Sequence, residues 1–562
     1  MKKLPIALII STIAATIISH GNPAYGESTG ANDLLEFAKK GDSNAQYNLA
    51  LMYYSGQGVK QDYGEALKWF KKAAKQNHVE AQFRLGLIYE KGQIVSQDYK
   101  KAFNGYLKAA QQGHDKAQFL LAGLYENGKG VRQDVNEAMK WYQKSAEKGN
   151  PSAQAQIGNM YYFGRHLSQD YQKAFEFFAK AAQQDLADAQ YALGLMYHHG
   201  QGVQQNYHKA FKCFTKVAQQ GDIKAQYNLG LMYYKGQGVK QDYNEALKWF
   251  KKAAVQGLAD AQHSLGVMYK DGLGTSQNYE KAVEWLTKGV EQGSAKAQYN
   301  LGLMYYFGKG VQQNYQEAFK WFTKAAKQGD IEAQNNLAVM YRDGQGVIQN
   351  YQEAFNLFNN AAERGHMVAQ FNLAVMYAKG IGIKHDSQKA IMWYIKSSEQ
   401  GNAVAQYNLG VTYRDGRGVP QDYEKAVEWF TKAAEQGDVH AQYELGNIYR
   451  NGEGVAQNNL EAIKWYTKAS EQGDIEAQSN LGSIYLLGLG TKPDYERAYQ
   501  LLSRAAEKGN MAAQNNLGFI YANALGVPRD YKLAKKWFTK AAEQGSIEAK
   551  KALEKLSKRP QP

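Results

Sequence analysis

Ala225-Gln226-Tyr227-Asn228-Leu229-Gly230-Leu231-Met232-Tyr233 is followed, after a short gap, by Asp242-Tyr243-Asn244-Glu245-Ala246-Leu247-Lys248-Trp249-Phe250. In the first stretch Ala225, Leu229, Met232 and Tyr233 recur at helical intervals. Gly236 then stands where a left-handed residue ends a helix, and Gly238 frees the connecting loop. Asp242 opens the second stretch as an N-cap, because a short side-chain oxygen can meet the free amides of a first turn. Ala246, Trp249, Phe250, Ala253 and Ala254 fall on one side of that helix, and Gly257 closes it. The reading is a helix–turn–helix hairpin whose apolar faces need neighbours to cover them.

The neighbours are copies of itself. The pair Ala-Gln recurs at Ala45, Ala81, Ala117, Ala153, Ala189, Ala225, Ala261, Ala297, Ala333, Ala369, Ala405, Ala441, Ala477 and Ala513, always 36 residues apart, so fourteen repeats fill 45–548 without an insertion. Counting each repeat from its Ala, position six is Gly or Ala, position nine is always Tyr, position 22 is always Ala, and all nine Trp fall at position 25. Small residues would let helices approach, and the aromatics would fill the space between adjacent repeats. Each second helix starts at Asp or Asn, and in six repeats a Glu follows three residues later (Glu65, Glu137, Glu245, Glu317, Glu353, Glu461), which predicts a reciprocal capping box. The predicted fold is all-α, an α/α superhelical solenoid stabilised by nearest-neighbour interfaces. Its expected layout is an export signal at 1–26, a capping helix at 27–44, the repeats, and a capping helix with a short tail at 549–562.

Composition agrees. Fifty-five Gly against 8 Pro, with 41 Tyr in 562 residues, reads as a small unit copied many times. The formal charge of +14 permits acidic partners, yet 67 basic and 53 acidic residues are interspersed without a long Lys/Arg run, so nucleic acid is not an expected partner. Cys213 is the only cysteine, which rules out an intrachain disulfide. Met1-Lys2-Lys3, the apolar stretch Leu4 to Ile18 and the small-residue site Ala24-Tyr25-Gly26 predict a cleaved signal with Glu27 as the mature start. That stretch is shorter than the roughly 20 residues a spanning helix needs, so no stable membrane insertion is expected. The expected location is outside the cell or on its surface, otherwise the periplasm.

With the quoted Gly236-Gln237-Gly238-Val239 loop between its two helices, the repeat resembles the Sel-1-like repeat (SLR) family, relatives of tetratricopeptide repeats. The resemblance spans the whole mature chain and implies a superhelical scaffold or binding protein. Exported bacterial members include host-interaction factors, some of which engage immune proteins such as immunoglobulins. The chain departs from the cysteine-rich branch, whose repeats carry disulfide pairs and to which β-lactam binding is attributed.

Advancing the first helix by 100° per residue puts positions one, two, five, eight and nine on a core side and three, four, seven, ten and eleven opposite. In tetratricopeptide-like stacks that second side lines a concave groove, and the resemblance implies the same here. The candidate partner-binding residues are Tyr227, Tyr299, Tyr407 and Tyr443 at position three, Asn228, Asn300, Asn336 and Asn408 at position four, and Tyr234, Tyr306, Arg342, Arg414 and Arg450 at position ten. Rigid aromatics and Arg are enriched at binding hot spots, and Asn can pair with both groups of a peptide backbone. The same Tyr-Asn pattern is also consistent with a consensus kept for folding.

No catalytic or metal-binding set emerges, and no cofactor is expected. Ser145-Ala146-Glu147-Lys148 matches a Ser-x-x-Lys pattern but lacks the companion motifs of penicillin-recognising enzymes. His198, His199, His208 and His263 do not form a convergent ligand set, Cys213 reads as a small buried hydrophobe at the Trp position, and the Gly-x-Gly pairs are turn chemistry. The expected partner is a protein, host-derived or of the cell envelope. The alternatives are a periplasmic assembly scaffold and, third, a β-lactam-hydrolysing enzyme.

Overall fold

A computed structural model describes residues 31–557; the signal-peptide reading of residues 1–26 lies outside them. Among the described residues there are thirty helices and no strand. Every repeat contributes two helices, as in Ile223–Lys235 and Tyr243–Val255, so the chain is an all-α solenoid of helical hairpins. The leading cap is the helix Ala31–Lys39, and the closing cap is Ile547–Ser557. The helices group into two compact blocks divided after Asn278, inside the seventh repeat. The first block holds the leading helix, six repeats and the helix Ala259–Asp271. The second holds Tyr279–Glu291, seven repeats and the closing helix.

Each first helix begins two residues before its Ala-Gln, because the cap sits three residues before the Ala. Asp222 Oδ1 accepts from Ala225 N at 2.7 Å, for instance. Three first helices are capped by an imidazole instead: His78, His114 and His366 accept through Nδ1 from Ala81, Ala117 and Ala369 N. Leu186 and Leu258 hold that place with no side-chain bond. Gly236 ends its helix at φ 68°. Gly238 is required for a second reason besides its φ of 73°: a Cβ there would lie 2.3 Å from the carbonyl oxygen of Tyr207 in the preceding repeat.

The second helices are capped by their Asp or Asn, as Asp242 Oδ1 accepts from Asn244 N and Glu245 N. The expected capping box is not what holds them. The backbone amide that its Glu would bond is already donated to the position-nine carbonyl, Asp242 N to Tyr233 O at 3.0 Å and Asp62 N to Tyr53 O at 3.0 Å. The Glu turns outward instead and pairs with Lys one turn on, Glu245 with Lys248 at 3.0 Å and Glu65 with Lys68 at 2.9 Å.

Position six works by proximity. A Cβ on Gly230 would sit 2.7 Å from the ring of Phe250, which is fully buried. The position-nine tyrosines pack edge-on against the preceding repeat, with Tyr233 5.3 Å from Phe211 and Tyr341 5.3 Å from Phe319. Trp249 joins the core formed by Phe214, Leu229 and Met232. On its outer side every Trp carries the Lys three residues on, from 4.0 Å for Lys72 over Trp69 to 4.8 Å for Lys540 over Trp537. The indoles thus close the core while cations keep their rims wet.

Position two explains the Ala-Gln signature. Gln226 is buried, its Nε2 donating to Ala218 O at 3.3 Å in the preceding repeat, while its Oε1 accepts from Gln256 Nε2 at 2.9 Å. Gln118, Gln370 and Gln442 make the same bond to Ala110, Ala362 and Ala434. A buried amide therefore ties the ends of successive second helices together, and at Gln226, Gln370 and Gln442 both halves of the amide are satisfied, the oxygen accepting from Gln256, Gln400 and Gln472.

Candidate partner-binding site

The strip expected to meet a partner is a ladder of half-buried polar groups running along the first helices of each block. Position three is packed more deeply than its helical angle suggests. Because position six is small, the buried position-26 ring slides beneath the first helix and meets the position-three ring, at 5.6 Å for Tyr227–Phe250, 5.8 Å for Tyr299–Phe322 and Tyr407–Phe430, and 6.0 Å for Tyr443–Tyr466. Burial pushes the Tyr299 hydroxyl up to about 12 and raises those of Tyr227 and Tyr407. These tyrosines stay neutral and act through ring faces and hydroxyls.

Position four reaches back one repeat. Asn228 Nδ2 donates to the Tyr191 hydroxyl at 3.0 Å, and the Asn336 side chain hydrogen-bonds Tyr299. Asn300 and Asn408 instead donate within their own helices, to Lys296 O at 3.0 Å and Val404 O at 2.7 Å. Position ten reaches forward. Tyr306 Oη donates to Gln345 Oε1 at 2.7 Å in the next repeat's loop, and its ring lies 5.2 Å from Tyr315. Tyr234 packs edge-on against Tyr243 at 5.3 Å. Arg342 forks onto Asp343, Nε–Oδ1 2.7 Å and Nη2–Oδ2 2.9 Å, and gives Nη1 to Asn372 Oδ1 at 3.2 Å. Arg414 bridges Asp415 and Glu444, both at 2.7 Å. Arg450 donates to Asn480 Oδ1 at 3.3 Å.

The structure therefore brings positions three, four and ten of neighbouring repeats together within each block. It also pairs them with Gln345 and Glu444, which the sequence reading left out, and with Asn372 and Asn480, position-four residues that belong to the same groove-facing set. The signal lay in two constant spacings from position ten, 30 to the next position four in Arg342–Asn372, Arg414–Glu444 and Arg450–Asn480, and 39 to the next loop in Tyr306–Gln345. Position ten also answers position 26. Where the buried ring is Tyr106 or Tyr142 rather than Phe, its hydroxyl donates to Glu90 or Glu126.

The residues weighed for chemistry are engaged structurally. Ser145 Oγ donates to Asp115 O at 2.8 Å and Lys148 Nζ to Gly113 O at 2.7 Å, so both serve the contact with the preceding repeat. His198 Nε2 lies 3.2 Å from Gln237 Oε1, an arrangement equivalent to Tyr306–Gln345. His208 Nδ1 is 3.3 Å from Gly238 O. Cys213 is half-buried beside the core of Phe178 and Leu193, and burial raises its thiol pKa. Among the described residues, no three His, Cys, Asp or Glu converge as metal ligands, and no helix is long and apolar enough to cross a membrane.

Comparison with known proteins agrees with this architecture. The Sel1 repeat family matches fourteen consecutive stretches, from residues 43–78 to 512–546. A crystal structure of c5321, described as a protective antigen present in uropathogenic Escherichia coli strains and displaying an SLR fold, is 40% identical with a TM-score of 0.60, covering 75% of this chain and 91% of that one. A Sel1 repeat protein from Oxalobacter formigenes is 34% identical, with a TM-score of 0.44, over 55% of this chain and 89% of its own. A putative sel1-like repeat-containing protein of Acanthamoeba polyphaga mimivirus is 54% identical over 41 residues, 7% of each chain. The protein belongs to the Sel1 repeat family, whose helical repeats commonly serve as scaffolds for protein interaction.

Proposed function

We infer that the chain is a non-catalytic binding protein that is exported and holds a host-derived protein, an immunoglobulin being the first to try, against the first-helix strip. The observation that carries this reading is the fixing of the strip's side chains before any partner arrives. Tyr306 is held by Gln345, Arg342 by Asp343 and Asn372, and Arg414 by Asp415 and Glu444. Side chains already ordered lose little rotamer entropy on binding, and Tyr and Arg then offer rigid area with polar edges. A relative described as a protective antigen of a pathogen supports exposure to a host. The Ser145 and Lys148 contacts with backbone favour binding over β-lactam hydrolysis.

The experiment is capture by the chain from Glu27 onward, from host secretions and separately from cell-envelope extract, with Tyr306→Ala/Arg414→Ala as the comparison. The reading expects one host protein retained by the parent and lost from the variant at an unchanged helical circular-dichroism signal. Capture only from envelope extract would transfer the proposal to a periplasmic scaffold, and equal capture by parent and variant would remove the strip from it.

A further inference from the structure

Fourteen copies of one hairpin provide an internal control for every surface position. Positions 24, 27, 28 and 31 face outward on the second helix. In the seventh repeat they are Glu284, Thr287, Lys288 and Glu291, and in the eleventh Glu428, Thr431, Lys432 and Glu435. There Glu and Lys pair one turn apart, at 2.6 Å in both. In the first repeat all four positions are lysine: Lys68, Lys71, Lys72 and Lys75. Like charges at this spacing repel, so the helix Tyr63–Lys75 has exchanged neutralising pairs for a concentrated positive face.

The next repeat extends it with Lys100, Lys101 and Lys108, all exposed. Lys68 and Lys101 meet Glu65 and Asp98, and Lys72 lies over Trp69, whereas Lys71, Lys75, Lys100 and Lys108 make no ion pair among the described residues. Gly64 stands where other repeats carry a larger residue such as Asn244 or Gln316, and an open hollow of about 350 Å³ lies there, lined by Gly64, Leu67 and the four lysines of the first repeat. Among the fourteen repeats only the first has lysine at all four of these positions; the sixth, with Lys248, Lys251 and Lys252, and the eighth have three. Residues 31–278 contain 31 basic against 22 acidic side chains, while 279–557 contain 32 against 30.

The geometry points to the outer face of repeats one and two as a docking surface for an anionic membrane, its lysines meeting lipid phosphates. The cations are spread over the outward faces of two successive second helices, Tyr63–Lys75 and Tyr99–Gln111, rather than along one row, so a plane of headgroups meets them together where a linear polyanion would meet a few. Lysine suits such a surface, since its long stem extends and its ammonium is a point charge for phosphate. This face lies on second helices and is separate from the first-helix strip, so it stands or falls independently of the partner proposed above.

The test is co-sedimentation of the chain from Glu27 onward with vesicles of phosphatidylcholine alone, or with about 30% phosphatidylglycerol, at about 50 and about 200 mM salt. Binding is expected only to the anionic vesicles and weaker at the higher salt. Lys71→Glu/Lys75→Glu/Lys108→Glu should bind about tenfold more weakly or worse, whereas Lys327→Glu/Lys532→Glu/Lys535→Glu, the same change in net charge elsewhere, should bind like the parent. Lys71→Arg/Lys75→Arg/Lys108→Arg should also bind, which separates lost charge from lost folding. Equal losses in the two Glu variants would overturn the site. Heparin binding without vesicle binding would overturn the membrane and point to a soluble polyanion.

Discussion

Replacing Gln226 by Met keeps the side-chain volume and removes two hydrogen bonds, one to Ala218 O of the fifth repeat and one from Gln256 at the end of the sixth repeat's own second helix. The cost is bounded by what remains. Ala218 O also accepts from Gly221 N at 3.1 Å, and the exposed Gln256 amide has Lys252 O at 3.3 Å and water as alternatives. Loss of one buried acceptor's second bond and of one amide pair therefore costs about 1–2 kcal/mol. Gln226→Ala adds a cavity and raises this to about 2–4 kcal/mol. Because stability in a repeat array is a sum over neighbours, the effect is local and is best read by hydrogen exchange. Amides at the ends of the helices Tyr207–Gln219 and Tyr243–Val255 should exchange faster by about tenfold or more in Gln226→Met, and those of distant repeats should not change. Unchanged exchange at those helix ends, with a urea midpoint equal to the parent's, would show that the buried amide is incidental to the junction.

Other expectations follow from single residues. Gly238→Ala combines a φ of 73° with a Cβ placed 2.3 Å from Tyr207 O and should cost more than about 3 kcal/mol in urea unfolding, and a value under about 1 would contradict the close approach. His78 is held below its usual 6.5 by burial, so the unfolded chain takes up protons first. Its contribution is present above 6.5 and is lost as pH falls through the depressed folded value, because a proton on Nδ1 removes the acceptor for Ala81 N. Exchange at Ala81, corrected for intrinsic rates, should rise between about pH 7 and 5 in the parent and stay level in His78→Asn, since Asn150 and Asn402 cap the same position elsewhere. Tyr306→Phe removes only the bond to Gln345 and should cost about 0.5–1.5 kcal/mol, read by the same urea titration.

The repeat length, both helices, the Asp242-type caps and the need for a small position six were legible because each depends on local chemistry repeated fourteen times. What the sequence hid depends on contacts between helices, within a repeat or across to its neighbour. Gln226 reads as a polar residue on a core face until Ala218 O and Gln256 are seen beside it. Glu245 reads as half of a capping box until the Asp242 amide proves to be spent on Tyr233 O. His78 does not resemble a cap at all, since an imidazole acts as one only when its Nδ1 is oriented, here with Nε2 3.2 Å from Asn44 Oδ1. Within the strip, Arg414 stood out by type, whereas Glu444, which neutralises and orients it, did not.

The most direct test of the first-helix strip as a binding surface is a hydrogen-exchange footprint of the chain with immunoglobulin isolated from host secretions. The account predicts slowed exchange in first helices such as Ala295–Phe307, Ile331–Asp343 and Ala403–Asp415, with the second helices between them unchanged. Protection confined to the second helices, or none at saturating immunoglobulin, would contradict it.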